Sequence, residues 1–284
     1  MRAGELQVIG ELGGKAIALP ATAVRDVHQA VSQRVFDRLG IIAAPVRIAH
    51  DGISKAVYAT TGAALRTPIG AAAKAAARRV AKDAPSLADN PIGALALGAL
   101  NGMWGDRIAE RHPQLALPMT LRIDGAPTSK LAVFVHGLCE TDESWRGVYG
   151  SNLRDELGYT PVYARYNTGL HVWDNGQRLA AMLDDLIANW PARVDEVILV
   201  GHSMGGLVSR SACFYGEADG HAWTSQLKHV FCLGTPHLGA PLEHAAGRAG
   251  RALARLPETR PFASAIEARS AGVKDLGFGN CVED

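Results

Sequence analysis

This chain of 284 residues has few cysteines, a small net charge and few long apolar runs. Its four cysteines, Cys139, Cys213, Cys232 and Cys281, form no C-x-x-C pair and have no zinc-site spacing. This scarcity argues against a small disulfide-stapled domain and against a structural zinc site, and we expect neither a metal nor another cofactor. Because the formal net charge is only +1, the chain as a whole lacks the positive field that favours nucleic-acid partners.

We also recognise no membrane-spanning segment and no secretory signal in the sequence. The longest uncharged run, residues 90–105, is interrupted by Pro91 and by glycines, and it is shorter than the roughly 20 apolar residues of a spanning helix. Charged residues follow Met1 closely, without the continuous apolar stretch of a signal peptide. These features predict a cytoplasmic or peripheral membrane protein.

The pattern of the chain changes near residue 119. Residues 1–118 are rich in alanine and are typical of helices, whereas residues 119–284 alternate short β-branched runs with helical stretches. Such alternation predicts right-handed βαβ crossovers and a mostly parallel sheet. We therefore expect an α/β fold, with a helical N-terminal region (1–118) and an α/β core (119–284).

One helix of the N-terminal region has an amphipathic pattern that Gly40 is expected to end. Its apolar face is formed by Val24, Val27, Val31 and Val35. Residues 1–128 carry a net charge of +5 and residues 129–284 a net charge of −4. The simpler expectation is that this face packs on the sheet of the same chain, and contact with a membrane surface is the alternative.

The core region contains five runs that predict strands. They are Met119–Ile123, Leu131–Val135, Pro161–Tyr166, Val194–Val200 and Leu227–Leu233. The fourth run is dense in valine and isoleucine, as buried parallel strands are, and residues 204–214 directly after it predict a helix.

The sequence Gly201-His202-Ser203-Met204-Gly205-Gly206 joins this fourth strand to its helix without a gap. A serine at such a turn adopts a strained backbone conformation that presents its hydroxyl above the sheet, and glycines around it allow strand and helix to approach closely. The N-terminus of the helix adds positive potential where an oxyanion would form. Ser203 is therefore the predicted nucleophile.

A second turn agrees with this prediction. The strand Leu131–Val135 ends in His136-Gly137-Leu138, where a backbone N–H can face the nucleophile. We expect the Leu138 and Met204 N–H groups to form an oxyanion hole, and the Cys139 N–H is the alternative to Leu138. The Cys139 thiol has no partner in the sequence that would activate it.

Four pieces of sequence between Leu131 and Pro241 carry a family resemblance. They are Val135-His136-Gly137-Leu138, Tyr166-Asn167-Thr168-Gly169, the Ser203 turn, and Leu233-Gly234-Thr235-Pro236-His237-Leu238-Gly239-Ala240-Pro241. Together they resemble lipases and esterases of the α/β-hydrolase superfamily, especially the bacterial lipase and GPI-inositol-deacylase-like groups. The resemblance implies hydrolysis of a carboxylic ester, from a small molecule or a lipid, through an acyl-enzyme on Ser203.

The resemblance also implies a catalytic acid and a histidine on strands after the nucleophile. Beyond Leu233, residues 242–256 and 262–269 predict helices and no further β-branched run follows, so we expect the chain to end before those strands. His237 is the alternative base, although in the resembling enzymes this turn is a wall of the site. The segment 241–269 is either a cap over the acyl pocket or a pair of packing helices.

Two other functions stay open at this point. One is a non-catalytic or truncated hydrolase-fold module that binds a partner. The other is an acyltransferase, in which an alcohol replaces water in the second step on the same nucleophile.

Overall fold

The computed structural model describes residues 1–240 and 267–283. Contacts divide the described chain into two compact units, residues 1–87 with 267–268 and residues 88–240 with 269–283. The predicted helices and cap between residues 241 and 266 lie outside the described residues. Within the described ranges, we find no helix that has both the length and the apolarity needed to cross a membrane.

The first unit is a helical hairpin. Helix α1 (Ala3–Leu39) and helix α2 (Ala44–Ala77) are joined by the 3-10 turn Gly40–Ala43. Gly40 has φ +69°, a value that favours glycine, and it ends α1 as the sequence predicts. The alanine-rich runs 56–65 and 71–82 predict two separate helices, but the structure has one helix there, which continues through Pro68 and ends at Ala77.

Aromatic and imidazole rings fill the interior of this hairpin near its turn. His28 of α1 lies 5.0 Å from His50 and 5.8 Å from Tyr58, measured between ring centroids, and Phe36 lies 5.4 Å from His50. The valines that the sequence predicts to be buried are not part of this interior. Val24, Val31 and Val35 are exposed and only Val27 is half-buried, because the rings already occupy the positions between the two helices.

The second unit contains a five-stranded sheet in the order β1-β3-β2-β4-β5. Strand β1 is antiparallel to β3, and the other neighbours are parallel. The strands are β1 (Thr120–Ile123), β2 (Lys130–Val135), β3 (Thr160–Arg165), β4 (Glu196–His202) and β5 (Leu227–Leu233). The helices are α3 (Pro91–Arg111), α4 (Val148–Leu157), α5 (Val172–Ala188), α6 (Met204–Ala218) and α7 (Ala271–Phe278). This architecture confirms the predicted α/β class with a mostly parallel sheet.

The core of this unit lies on both faces of the sheet. One face packs the aliphatic residues of β2 and β4 against α5 and α6, with Trp223 fully buried beside them. The other face carries Phe134, Tyr163 and Trp145. The alternation of side chains along each strand sends successive residues to these two layers, which explains why the strands read as continuous apolar runs.

Helix α3 packs in the same unit as the sheet. Its buried Asn101 donates to the Leu97 and Leu115 carbonyls and accepts from the Leu117 N–H, and these bonds tie the helix to the segment before β1. The division of the chain into 1–118 and 119–284 stays a prediction, and the contacts place α3 with the sheet.

Candidate active site

Ser203 lies at the sharp turn between β4 and α6. Its φ of +51° and ψ of −119° are values that a residue with a side chain rarely adopts. The Ser203 N–H donates to the Leu233 carbonyl of β5 at 2.8 Å, and its own carbonyl accepts from the Gly206 N–H at 3.1 Å. The surrounding strand and helix hold this strained conformation in place.

Two glycines bring the Ser203 turn and the turn after β2 together. A Cβ at Gly205 would collide with the Val135 carbonyl, so α6 passes close to the end of β2 only because the residue is glycine. A Cβ at Gly137 would lie 3.2 Å from the Ser203 Cβ. The turn that contains Leu138 therefore adjoins the predicted nucleophile, as the sequence led us to expect.

His136 is a fully buried histidine that anchors this second turn. Its Nδ1–H donates to the Gly137 carbonyl at 3.0 Å, and its Nε2 accepts from the Tyr166 N–H at 3.4 Å. The Tyr166 hydroxyl donates to the His136 carbonyl at 2.6 Å, and the two rings are stacked. Burial lowers the pKa of His136 to about 4, so the ring is neutral near pH 7. The neutral ring holds the turn in place through its two hydrogen bonds.

Glu140 closes the same turn from its other end. Its Oε2 accepts from the Gly137 N–H at 2.9 Å, and the Glu140 N–H donates to the Gly137 carbonyl at 3.3 Å. The same Oε2 faces Nδ1 of His202, the residue before Ser203, at 3.4 Å. One carboxylate thus contacts both turns of the site.

The two candidate oxyanion donors of this turn differ in their contacts. The Cys139 N–H donates to the Thr168 Oγ1 at 3.2 Å, and Cys139 has φ +62°. Leu138 is half-buried and packs against the aliphatic core. Burial, followed by the charge of Glu140, raises the pKa of the Cys139 thiol, which argues against cysteine chemistry here. Met204 is fully buried and begins α6, so its N–H has no partner within the helix.

A row of glycines on α3 supports this turn from behind. Gly98 and Gly102 are four residues apart and share one face of the helix, whereas Gly105 follows a kink at Trp104 and approaches Asn167. A Cβ at Gly98 would lie 2.8 Å from the Glu140 carbonyl oxygen, and a Cβ at Gly102 would lie 2.9 Å from the Cys139 nitrogen. The helix can approach the turn this closely only without side chains at these positions.

A cleft of about 250 Å³ begins at His202, next to the predicted nucleophile. Its lining residues are Glu140, Ser144, Trp145, Tyr149, His202 and Leu233. The Trp145 ring meets the His202 ring edge to face at 6.4 Å. A second, mainly apolar hollow of about 310 Å³ shares Trp145, Tyr149 and Leu233 with it. The cleft therefore offers an apolar surface beside the Ser203 turn.

Buried Asp142 fixes the segment that carries Trp145. It pairs with Arg165 of β3 and with Arg122 of β1, the latter at 3.0 Å. Burial alone would raise the pKa of Asp142, but the hydrogen bonds from the two guanidinium groups outweigh burial and hold this pKa below its usual value. The charged Asp142 thereby ties the 3-10 turn Asp142–Trp145 to the sheet.

The described histidines near the site each have contacts elsewhere. The Arg210 guanidinium donates to Nδ1 of His237 at 2.9 Å. Because arginine is always a donor, the neutral His237 ring carries its proton on Nε2, the wrong arrangement for a base at that nitrogen. His171 faces Asp275 at 2.9 Å, and His202 faces Glu140. A carboxylate on Nδ1 leaves Nε2 available as a base, but among the described residues neither His171 nor His202 has a hydrogen bond to the Ser203 hydroxyl.

Several residues that shape the site were not singled out from the sequence. Glu140 and Asp142 act through contacts with residues in other strands and turns, which a local sequence pattern does not reveal. The glycine row of α3 did carry a signal, because glycines at helical spacing indicate a close-packed face. In the sequence analysis those glycines appear only as interruptions of the uncharged run 90–105.

Comparison with known proteins agrees with this geometry. Residues 132–250 match the family described as the PGAP1-like alpha/beta domain. Among curated proteins, none matches the chain.

Two solved structures of the Bacillus licheniformis lipase BlEst2 are similar to the chain. The mature form is 26% identical over 55% of this chain and 62% of the lipase, with a TM-score of 0.38. The propeptide form is 25% identical over 55% of this chain and 34% of the lipase, with a TM-score of 0.37. The chain thus spans less than two thirds of either.

The family match begins inside β2 and includes the Ser203 turn, the parallel strands around it and the Thr235-Pro236-His237 turn. Residues 132–250 thus match the PGAP1-like alpha/beta domain family, over less than half of the chain.

Proposed function

We propose that the protein is a serine hydrolase that cleaves carboxylic esters through a covalent acyl-enzyme on Ser203. The single observation that carries this proposal is the backbone of Ser203. Its φ of +51° is held by the Leu233 carbonyl and by the start of α6. Folded proteins retain such strain mainly where it serves a site.

The proposed oxyanion hole consists of the Leu138 and Met204 N–H groups. The engagement of the Cys139 N–H by Thr168 favours Leu138 over Cys139. The positive end of α6 adds to the potential at the same place. Loss of one such preorganised donor typically costs about 3 kcal/mol of transition-state stabilisation.

In the proposed reaction, the Ser203 Oγ bonds to the ester carbonyl carbon while a base removes the hydroxyl proton. The oxyanion collapses, and the alcohol leaves with that proton. Water then adds to the acyl-enzyme and releases the carboxylic acid and the free serine. The mainly apolar hollow that shares Trp145, Tyr149 and Leu233 with the cleft beside His202 supports an aliphatic or lipid-like acyl group.

Turnover of 4-nitrophenyl butyrate tests this proposal. We expect Ser203→Ala to abolish turnover above background, and Ser225→Ala, a change at an exposed serine, to leave it unchanged. The thermal midpoint of Ser203→Ala should stay within a few degrees of wild type, since alanine and serine have the same backbone preference there. Undiminished turnover in Ser203→Ala would contradict the proposal, and no turnover in the wild type would favour the non-catalytic module.

A further inference from the structure

The hairpin of α1 and α2 exposes large aliphatic side chains on both helices and at the turn. We call these residues the apolar stripe. They are Val24, Val31, Val35 and Leu39 of α1, Ile41 of the turn, and Val46, Ile53 and Val57 of α2; Ile48 of α2 is also exposed but is not counted in the stripe, because its position does not fit the spacing of the other three. Ile41 is 89% exposed and Ile53 is 66% exposed, so the stripe faces solvent.

The positions of the stripe residues follow one geometric rule in both helices. Val24, Val31 and Val35 are seven and four residues apart, and so are Val46, Ile53 and Val57. Side chains with this spacing lie on a single face of a helix. Each helix therefore presents a continuous aliphatic row to solvent.

The stripe does not hold the hairpin together. His28 and His50 share a hydrogen bond of 3.3 Å, and the rings of Phe36 and Tyr58 pack against them. Farther from the turn, a Cβ at Gly14 would lie 3.0 Å from the Arg66 carbonyl oxygen, which shows how closely the helices approach. Since other residues join the two helices, the exposed aliphatic rows need a different explanation.

The charge of the hairpin indicates the kind of partner. Residues 1–87 contain twelve Lys and Arg residues against six Asp and Glu residues, a net charge of +6, although the whole chain has a net charge of only +1. Residues 24–57, which carry the stripe, contain five of these basic residues and three of the acidic ones, and Arg47 pairs with Asp37 at 2.9 Å. The rest of the positive charge lies toward the open end of the hairpin. A hairpin with net positive charge and exposed aliphatic residues complements an anionic lipid surface.

We propose that the α1–α2 hairpin docks on anionic membranes, with the apolar stripe entering the boundary between headgroups and acyl chains. The basic residues supply attraction to anionic lipids, and the aliphatic side chains leave water. Extended exposed apolar surface is uncommon on monomeric soluble proteins and marks interaction sites. This surface is independent of the proposed ester hydrolysis.

Vesicle binding of the full 284-residue chain tests the proposal. The vesicles are pure phosphatidylcholine or phosphatidylcholine with phosphatidylglycerol, and bound protein is measured by flotation at low and high NaCl. The wild type should bind the anionic vesicles at low salt and dissociate from them at high salt, because salt screens exposed charges. The Ile41→Ser/Ile53→Ser variant should bind at least about tenfold more weakly, since less aliphatic surface leaves water.

A matched control comes from the other compact unit. Ile92 of α3 is 80% exposed, close to the exposure of Ile41, and Ile92→Ser should bind vesicles like the wild type. Ser203→Ala should also bind normally, which separates this proposal from the proposed catalysis. Helical content of each variant, measured by circular dichroism, should equal that of the wild type because all the substituted isoleucines are exposed.

Three results would overturn the proposal. The first is a wild type that does not bind anionic vesicles, and the second is equal binding by wild type and the double variant. The third is a wild type that dimerises without vesicles and a double variant that is monomeric, with neither binding lipid. That last outcome would assign the apolar stripe to contact between two copies of the chain.

Discussion

The Gly137 N–H donates a hydrogen bond to Oε2 of Glu140 at 2.9 Å, and this bond closes the turn beside Ser203. The return bond from the Glu140 N–H to the Gly137 carbonyl makes the turn reciprocal. Leu138, whose N–H is the proposed oxyanion donor, lies between the two bonded residues. The position of that donor therefore depends on Glu140.

Substitution of Glu140 tests this dependence. Glu140→Gln keeps an oxygen that can accept from Gly137, and we expect kcat/KM for 4-nitrophenyl butyrate within about threefold of wild type. Glu140→Ala removes the acceptor, and kcat should fall about tenfold to hundredfold with little change in KM, since a transition-state contact is lost. Equal losses in the two variants would mean that the charge opposite His202 matters instead of the turn.

The glycine row of α3 makes a second prediction. Gly102→Ala places a methyl group against Cys139, and we expect it to destabilise the chain by about 1–3 kcal/mol and to lower kcat. The control is Gly70→Ala in α2, where a Cβ meets nothing within 4 Å. The Gly70→Ala change should leave the free energy of unfolding unchanged or raise it by up to about 1 kcal/mol. Urea unfolding and ester turnover measure both effects, and similar behaviour of the two variants would refute close packing at Gly102.

Buried His136 makes a prediction about pH. The unfolded chain protonates this histidine near its ordinary pKa of 6.5, whereas the folded chain does so only near pH 4. Its contribution to stability is therefore complete above pH 6.5 and is lost as pH falls from 6.5 to 4, by up to about 1.4 kcal/mol per pH unit. Asp142, whose pKa is lowered, loses its contribution only at more acidic pH.

Urea unfolding at pH 7.5 and pH 5 measures this contribution. The wild type should lose more free energy of unfolding between the two pH values than His136→Gln, which has no group that titrates at this position. His229→Gln, at an exposed histidine, should behave like the wild type. Equal pH dependence in wild type and His136→Gln would show that His136 is not held neutral.

The sheet and the Ser203 turn were predictable because their signals are local. Residues 194–200 form one apolar run with the glycine-flanked serine directly after it, and the structure has β4 and α6 there. Helix α4 was missed because residues 148–157 mix polar and apolar residues without a strong period. The predicted burial of Val24, Val31 and Val35 was wrong because periodicity identifies a face but not what covers it.

The contacts among the residues that support the site could not be predicted, for a different reason. Tyr166 lies 30 positions from His136 and Arg165 lies 23 positions from Asp142 along the chain. Their contacts arise only when β3 pairs beside β2 and brings the ends of the two strands together. Sequence pattern indicates that strands exist, and the order of strands in the sheet decides which side chains meet.

Covalent labelling with a fluorophosphonate probe, followed by peptide mass spectrometry, shows whether Ser203 is an activated nucleophile. We expect one adduct on Ser203 of the wild type, none on the buried neighbours Ser209 and Ser211, and no labelling of Ser203→Ala. A wild type that stays unlabelled, or that is labelled at another serine in place of Ser203, would contradict the proposed role of Ser203.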